Sequence, residues 1–174
     1  MINPLHSTAG DLPWRVFYTM PRSEKKCEKE LIKKDIQVFL PKCTTVNQWS
    51  DRKKKVETPL FQNYIFARVD ERDRIRVLQT KGIVRCISFG GKLATVTAQE
   101  IEQLKIVQAH PEWIEALAHP IPSLGASVQI QEGPLQGLKG EVIEHRGLVS
   151  LVVRIPSIKQ SIKVVLPNAI VGQC

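Results

Sequence analysis

The chain has 174 residues, 43% of them hydrophobic and 24% charged, with a net charge of +8. These values exclude a disordered or fibrous chain and leave room for one domain with a solid core or for two small ones. No run reaches the roughly 18 to 20 apolar residues of a membrane-spanning helix, and the N-terminus MINPLHSTAGD lacks the segments of a signal peptide, so a cytoplasmic protein is expected.

Trp14 to Tyr18 alternates large apolar residues and stops at Pro21, which predicts a short strand. A helix follows, with Ser23 as its cap, Glu24 suited to its first turn, and Cys27, Leu31 and Ile32 as a narrow apolar stripe among Lys and Glu. Ile36 to Leu40 is a second strand, ended by Pro41. From Lys42 to Glu57 the chain turns polar and basic, with Trp49 and the run Arg52 to Lys55, the pattern of an extended hairpin or a loop. Leu60 to Val69 is the most apolar strand, with Phe61, Ile65, Ala67 and Val69 expected on one face and Leu60, Tyr64 and Phe66 on the other. Both faces are apolar, so both must be covered, whether by layers of the same domain or by a partner. A short helix over Asp70 to Thr80, a strand over Ile83 to Phe89 and a helix over Thr97 to Ala109 complete an α+β sandwich with an antiparallel sheet.

The composition then shifts. All ten aromatic residues lie from Trp14 to Trp113, and residues 13–110 hold 20 Lys and Arg against 11 Asp and Glu, whereas residues 123–174 hold 5 against 3. Any grip on a polyanion therefore belongs to the first part. His110 to Ser123 carries Pro111, Pro120 and Pro122 without a sustained period and reads as a linker. Beyond it, Gly125, Gly133, Gly137, Gly140, Gly147 and Gly172 punctuate short β-rich segments at Ser127 to Gln131, Glu141 to Glu144, Val149 to Ile155 and Ile162 to Leu166, as in a small barrel. The expected organisation is an extension over residues 1–12, a domain over 13–110, a linker over 111–123 and a second domain over 124–174.

Nothing in the sequence points to catalysis or to a cofactor. Cys27, Cys43, Cys86 and Cys174 are far apart, with no C-x-x-C pair and no His cluster, so neither a metal site nor a redox pair is expected. A phosphate-cradling Gly-rich loop, a paired-carboxylate motif and a Ser/His/Asp arrangement are all missing, and His6, His110, His119 and His145 are scattered in predicted loops.

The stretches W-R-V-F-Y-T-M-P-R-S-E-K-K, F-L-P, D-R-K-K-K-V-E-T-P-L-F-Q-N-Y-I-F, K-G-I-V-R and S-F-G together resemble the N-terminal domain of the NusG family of transcription elongation factors. The stretch V-Q-I-Q-E-G-P-L-Q-G-L-K-G-E-V resembles the KOW motif that follows it, an SH3-like β-barrel. Within the family, P-L-F-Q-N-Y-I-F with Asn63 resembles the specialised paralogue RfaH, since general NusG usually has Gly at that place. P-R-S-E-K-K and W-S-D-R-K-K-K are similar to the UpxY branch of antiterminators of surface-polysaccharide operons. Gln62 departs from the family, which usually has Pro there.

This resemblance implies a monomeric, non-enzymatic adaptor that binds RNA polymerase. An apolar pocket of Tyr18, Phe61, Tyr64, Phe66, Phe89, Ile101 and Leu104 would receive the β′ clamp helices, and Arg72, Asp73 and Arg74 would meet the gate loop of β. Arg22, Lys25, Lys26, Lys81 and Arg85 would lie near the non-template DNA strand. The run Lys53, Lys54 and Lys55 is either a further nucleic-acid contact or a solvated face. Ile130, Ile162 and Val164 would give the KOW barrel a contact for a small-subunit ribosomal protein or Rho. The β-branched segments predict a KOW domain that stays β-structured rather than folding as a helical hairpin. The competing readings are a housekeeping NusG, a ribosomal or RNA-binding KOW protein, and an enzyme that merely carries a KOW module.

Overall fold

The computed structural model of the chain describes residues 12–48, 53–116, 125, 127–131, 133–145 and 148–165. In chain order the elements are β1 (Trp14–Thr19), α1 (Glu24–Lys33), β2 (Gln37–Phe39), β3 (Lys42–Gln48), β4 (Lys53–Pro59), β5 (Tyr64–Arg68), α2 (Glu71–Leu78), β6 (Ile83–Cys86), β7 (Ser88–Phe89), β8 (Lys92–Leu93), β9 (Thr95–Val96) and α3 (Ala98–Ala109). After a 3-10 turn at Pro111–Trp113 come β10 (Ile114–Ala116), β11 (Ser127–Gln129), β12 (Lys139–His145), β13 (Leu148–Ile155), a second 3-10 turn at Pro156–Ile158, and β14 (Gln160–Val165). Two compact units result: the chain up to Leu40 with Gln62–Ala98, and Pro41–Phe61 with the chain from Gln99 onward.

In the first unit the strands run β2-β5-β1-β6 with antiparallel neighbours, and β9 also pairs with β1. Opposed residues share a face. Phe17 lies opposite Ile65, and these two join Cys27 and Leu31 of α1, Val77 of α2, and Ile36, Leu40, Ala67, Val69 and Ile83 in one buried core. Both helices therefore lie on that side of the sheet. The opposite face carries Trp14, Val16 and Tyr18 of β1 beside Tyr64 and Phe66 of β5. Phe61, expected on β5, lies ahead of it, because the chain turns at Asn63 in the left-handed region (φ 67°) before the strand begins.

Helix α1 departs from its expected cap. Ser23 holds the cap position but its side chain makes no capping hydrogen bond; its carbonyl accepts from the Cys27 N–H at 2.8 Å. Ile32 is exposed, so the apolar stripe narrows to Cys27 and Leu31. Helix α2 is capped by Asp70, whose Oδ1 accepts from the Asp73 N–H at 2.7 Å. The two helices are tied where Lys34 Nζ donates to Thr80 Oγ1 at 2.7 Å and the Arg76 guanidinium donates to the Lys34 carbonyl at 2.8 Å. Gly82, at φ +99°, lets the chain pass α1 closely, for a Cβ there would sit 2.8 Å from Cys27 Sγ.

In the second unit β3 and β4 form the expected hairpin. It is held by the Lys42 N–H, which donates to Gln108 Oε1 of α3 at 3.0 Å. Five antiparallel strands run β10-β14-β13-β12-β11, and Leu135, Leu138, Leu151, Val153, Ile155, Ile158, Ile162 and Val164 are buried. Among the described residues from Ile114 onward there is no α-helix. Part of the stretch expected as linker is sheet instead: Ile114, Glu115 and Ala116 pair with Val164, Lys163 and Ile162. The rest of that stretch, residues 117–123, lies outside the described residues. Helix α3, expected with the first domain, groups with this unit, because Gln103 Nε2 donates to the Gly137 carbonyl at 2.9 Å and Gln103 Oε1 accepts from the Lys139 N–H.

Candidate functional site

On the face of the first sheet opposite α1 and α2, three residues line up across three strands. Tyr64 of β5 lies opposite Tyr18 of β1, which lies opposite Arg85 of β6. The two rings meet edge to face, with centroids 5.6 Å apart and planes at 84°. The Arg85 guanidinium sits 5.7 Å from the Tyr18 centroid, within cation–π range. Both tyrosines are half-buried and Arg85 is exposed, so this end of the face offers aromatic edges and a cation to a partner. Large aromatics and Arg are the residue types that dominate interface energies.

The other pocket candidates are placed differently. Phe66 is fully buried, its ring 6.3 Å from Phe39, and Phe61, Ile101 and Leu104 are buried at 5%, 1% and 0% exposure, so none of the four presents a surface here. Phe89, 43% exposed, sits on the short β7–β8 hairpin rather than on a continuous strand over Ile83 to Phe89.

The gate-loop candidates Arg72, Asp73 and Arg74 lie on α2, across the sheet from the tyrosines. Asp73 accepts from Arg76 at 2.7 Å, and Arg74 pairs with Glu71, whose carboxyl that hydrogen bond holds below its ordinary value. Arg72 is exposed.

The basic candidates gather at one end of the first unit. The Met20 N–H donates to the Gly82 carbonyl at 2.8 Å, which ties the turn carrying Arg22 to the segment carrying Lys81. Lys25 and Lys26 follow in the first turns of α1, and all four basic side chains are exposed. Lys53, Lys54 and Lys55 lie on β4, with their side chains outside the described part, as are Trp49 and Arg52 altogether.

One expectation fails on burial. Ile130, Ile162 and Val164 are 8%, 1% and 1% exposed: alternation along β14 turns Ile162 and Val164 into the unit's own core, Ile130 is buried just past the end of β11, and none of them presents a surface contact. The cysteines Cys27, Cys43 and Cys86 are free, and burial pushes all three thiols up, away from the reactive thiolate form. The pairing of Arg85 with Tyr18 was not legible beforehand, since it depends on the β1–β6 register.

The fold and this surface define a mixed α/β protein with antiparallel sheets that presents an aromatic–cation cluster beside a basic rim. A family model described as transcription termination factor nusG matches residues 12–105, and the chain belongs to the NusG family of transcription factors. Among solved structures it is similar to that of Thermotoga maritima NusG, described as showing domain interaction, with a TM-score of 0.54 at 20% identity over 94% of this chain and 97% of that one. A chain of an MjSpt4:Spt5 complex is 17% identical over 87% of this chain and 91% of that one, but at a TM-score of 0.28 it adds nothing on the fold. No helix among the described residues is long and apolar enough to cross a membrane.

Proposed function

We propose that this protein is a non-enzymatic transcription antitermination and elongation factor. It binds RNA polymerase at the β′ clamp helices through the Tyr18–Tyr64–Arg85 surface and suppresses pausing or termination. The observation that carries this reading is the half-buried, edge-to-face tyrosine pair at the accessible end of the face opposite α1 and α2. Bridging from there to the gate loop of β, with the exposed Arg72 as the available contact, would favour the closed, unpaused polymerase by differential binding to that state. The second sheet, β10 to β14, acts as a KOW barrel that engages a small-subunit ribosomal protein or Rho.

The specialised, RfaH- and UpxY-like role is favoured by Asn63. It holds the left-handed turn that general NusG proteins usually give to glycine, so the turn here carries a side chain with its own partners. An operon for surface polysaccharide is the target class. Polymerase pull-down, followed by transcript profiling of a deletion strain, tests the proposal: read-through lost in one long operon supports it, changes across all genes would mark a housekeeping NusG, and no polymerase in the pull-down would refute it.

The basic rim gives a separate expectation. Neutralising Lys25, Lys26 and Lys81 is expected to weaken single-strand DNA binding and to flatten its salt dependence by a slope of about 0.7 per lost phosphate contact. An unchanged slope in a salt titration would assign these lysines to solvation. The same change at Lys53, Lys54 and Lys55 tests the hairpin.

A further inference from the structure

We infer that Glu24 is a positioning residue for the tyrosine pair, acting through the backbone of Asn63. This rests on the polymerase-binding reading for its consequence but not for its geometry. Glu24 opens α1, where an acidic side chain ordinarily faces solvent and complements the helix dipole. Here it is only 5% exposed, and its Oε1 accepts from the Asn63 N–H at 2.8 Å. Asn63 in turn exchanges two hydrogen bonds with Thr19: the Thr19 N–H donates to the Asn63 carbonyl at 2.8 Å, and Asn63 Nδ2 donates to the Thr19 carbonyl at 3.2 Å.

The residues so locked are the immediate neighbours of the two rings. Thr19 follows Tyr18, and Asn63 precedes Tyr64. Asn63 sits at φ 67°, in the left-handed region that asparagine enters more readily than other residues with a Cβ but still at a cost relative to glycine, which its surroundings here offset. The compensation is the carboxylate on its N–H together with the amide clasp on Thr19. Without the carboxylate, Asn63 relaxes toward negative φ, the peptide leading into Tyr64 rotates, and the edge-to-face pair opens. A buried acid on a helix thus sets the geometry of a surface on the opposite side of the sheet.

The test uses the full chain with Glu24→Ala, Glu24→Gln, Asn63→Gly and the double variant Glu24→Ala/Asn63→Gly. Two readouts are taken: nuclear Overhauser contacts between the Tyr18 and Tyr64 rings in the free protein, and affinity for RNA polymerase. Glu24→Ala is expected to lose the ring contacts and about tenfold in affinity, the population shift that one left-handed penalty amounts to. Glu24→Gln keeps an acceptor oxygen and keeps both readouts. Asn63→Gly alone stays near the parent, and the double variant recovers both readouts, because glycine reaches positive φ without support. If Glu24→Ala does not fold, recovery of folding and ring contacts in the double variant carries the same support. Ring contacts that survive Glu24→Ala, or a double variant as impaired as Glu24→Ala, would overturn the inference. Ring contacts that follow this pattern in a protein without polymerase affinity would uphold the positioning role and refute the polymerase reading.

Discussion

Tyr64→Ala is expected to weaken polymerase binding by roughly thirtyfold or more, which corresponds to about 2 kcal/mol for a truncated interface aromatic. Its thermal midpoint should move by only a few degrees, because the ring is half-buried and packs edge to face on Tyr18. Phe66→Ala, two residues along the same face, is expected to behave in the opposite way. Its side chain is fully buried, so removing it leaves a cavity and costs about 3 to 5 kcal/mol of folding stability. A double variant would blend the two effects, so each is measured alone, by calorimetric melting and by titration against polymerase. Full binding by a folded Tyr64→Ala protein would remove the tyrosine pair from the interface.

Gly140→Ala is expected to disrupt the second sheet, at a cost of about 1 to 3 kcal/mol or more from overpacking. An ideal Cβ at this position on β12 would lie 2.7 Å from Leu151 Cγ and 2.7 Å from the Val152 carbonyl oxygen. A flexible side chain could yield, but Leu151 is fully buried and the Val152 oxygen is backbone of β13, itself paired on both sides. Residue-resolved amide exchange over β10 to β14, compared with the first sheet, reads the effect locally. Unchanged protection there would show that the strands can separate without loss.

The longer elements were legible because their periods are long enough to see. The alternation of Trp14 to Tyr18 predicted β1, and the polar stretch from Lys42 to Glu57, read as an extended hairpin or a loop, is the hairpin that β3 and β4 make. Strands β8 and β9 have two residues each, too few to carry a period; the strand expected over Ile83 to Phe89 breaks into β6 and β7; and β10 was hidden because prolines on either side of it marked the segment as linker. Of the site, alternation told which residues share a face but not which end of that face is covered, so Tyr64 and Phe66 looked equivalent although one reaches the surface and the other does not. The same limit misplaced Ile162 and Val164, whose strand hides its apolar side, and Ile130, buried just past the end of β11. Glu24 read as a dipole-complementing acid because nothing local connects it to Asn63, which is 39 residues away in sequence.

The pairing of β10 with β14 changes how the second sheet can travel. Helix α3 ends at Ala109 and β10 begins at Ile114, with only His110 to Trp113 between them, and there the His110 and Trp113 rings stack at 4.8 Å. Four residues span at most about 14 Å even when stretched. The sheet is therefore leashed to α3 at high effective concentration, and after any local opening it rebinds the Gln103 side chain far faster than a module on a thirteen-residue tether would. A distant partner can draw the sheet further away only by peeling β10 off β14, so lengthening the leash and unzipping that edge strand are one event.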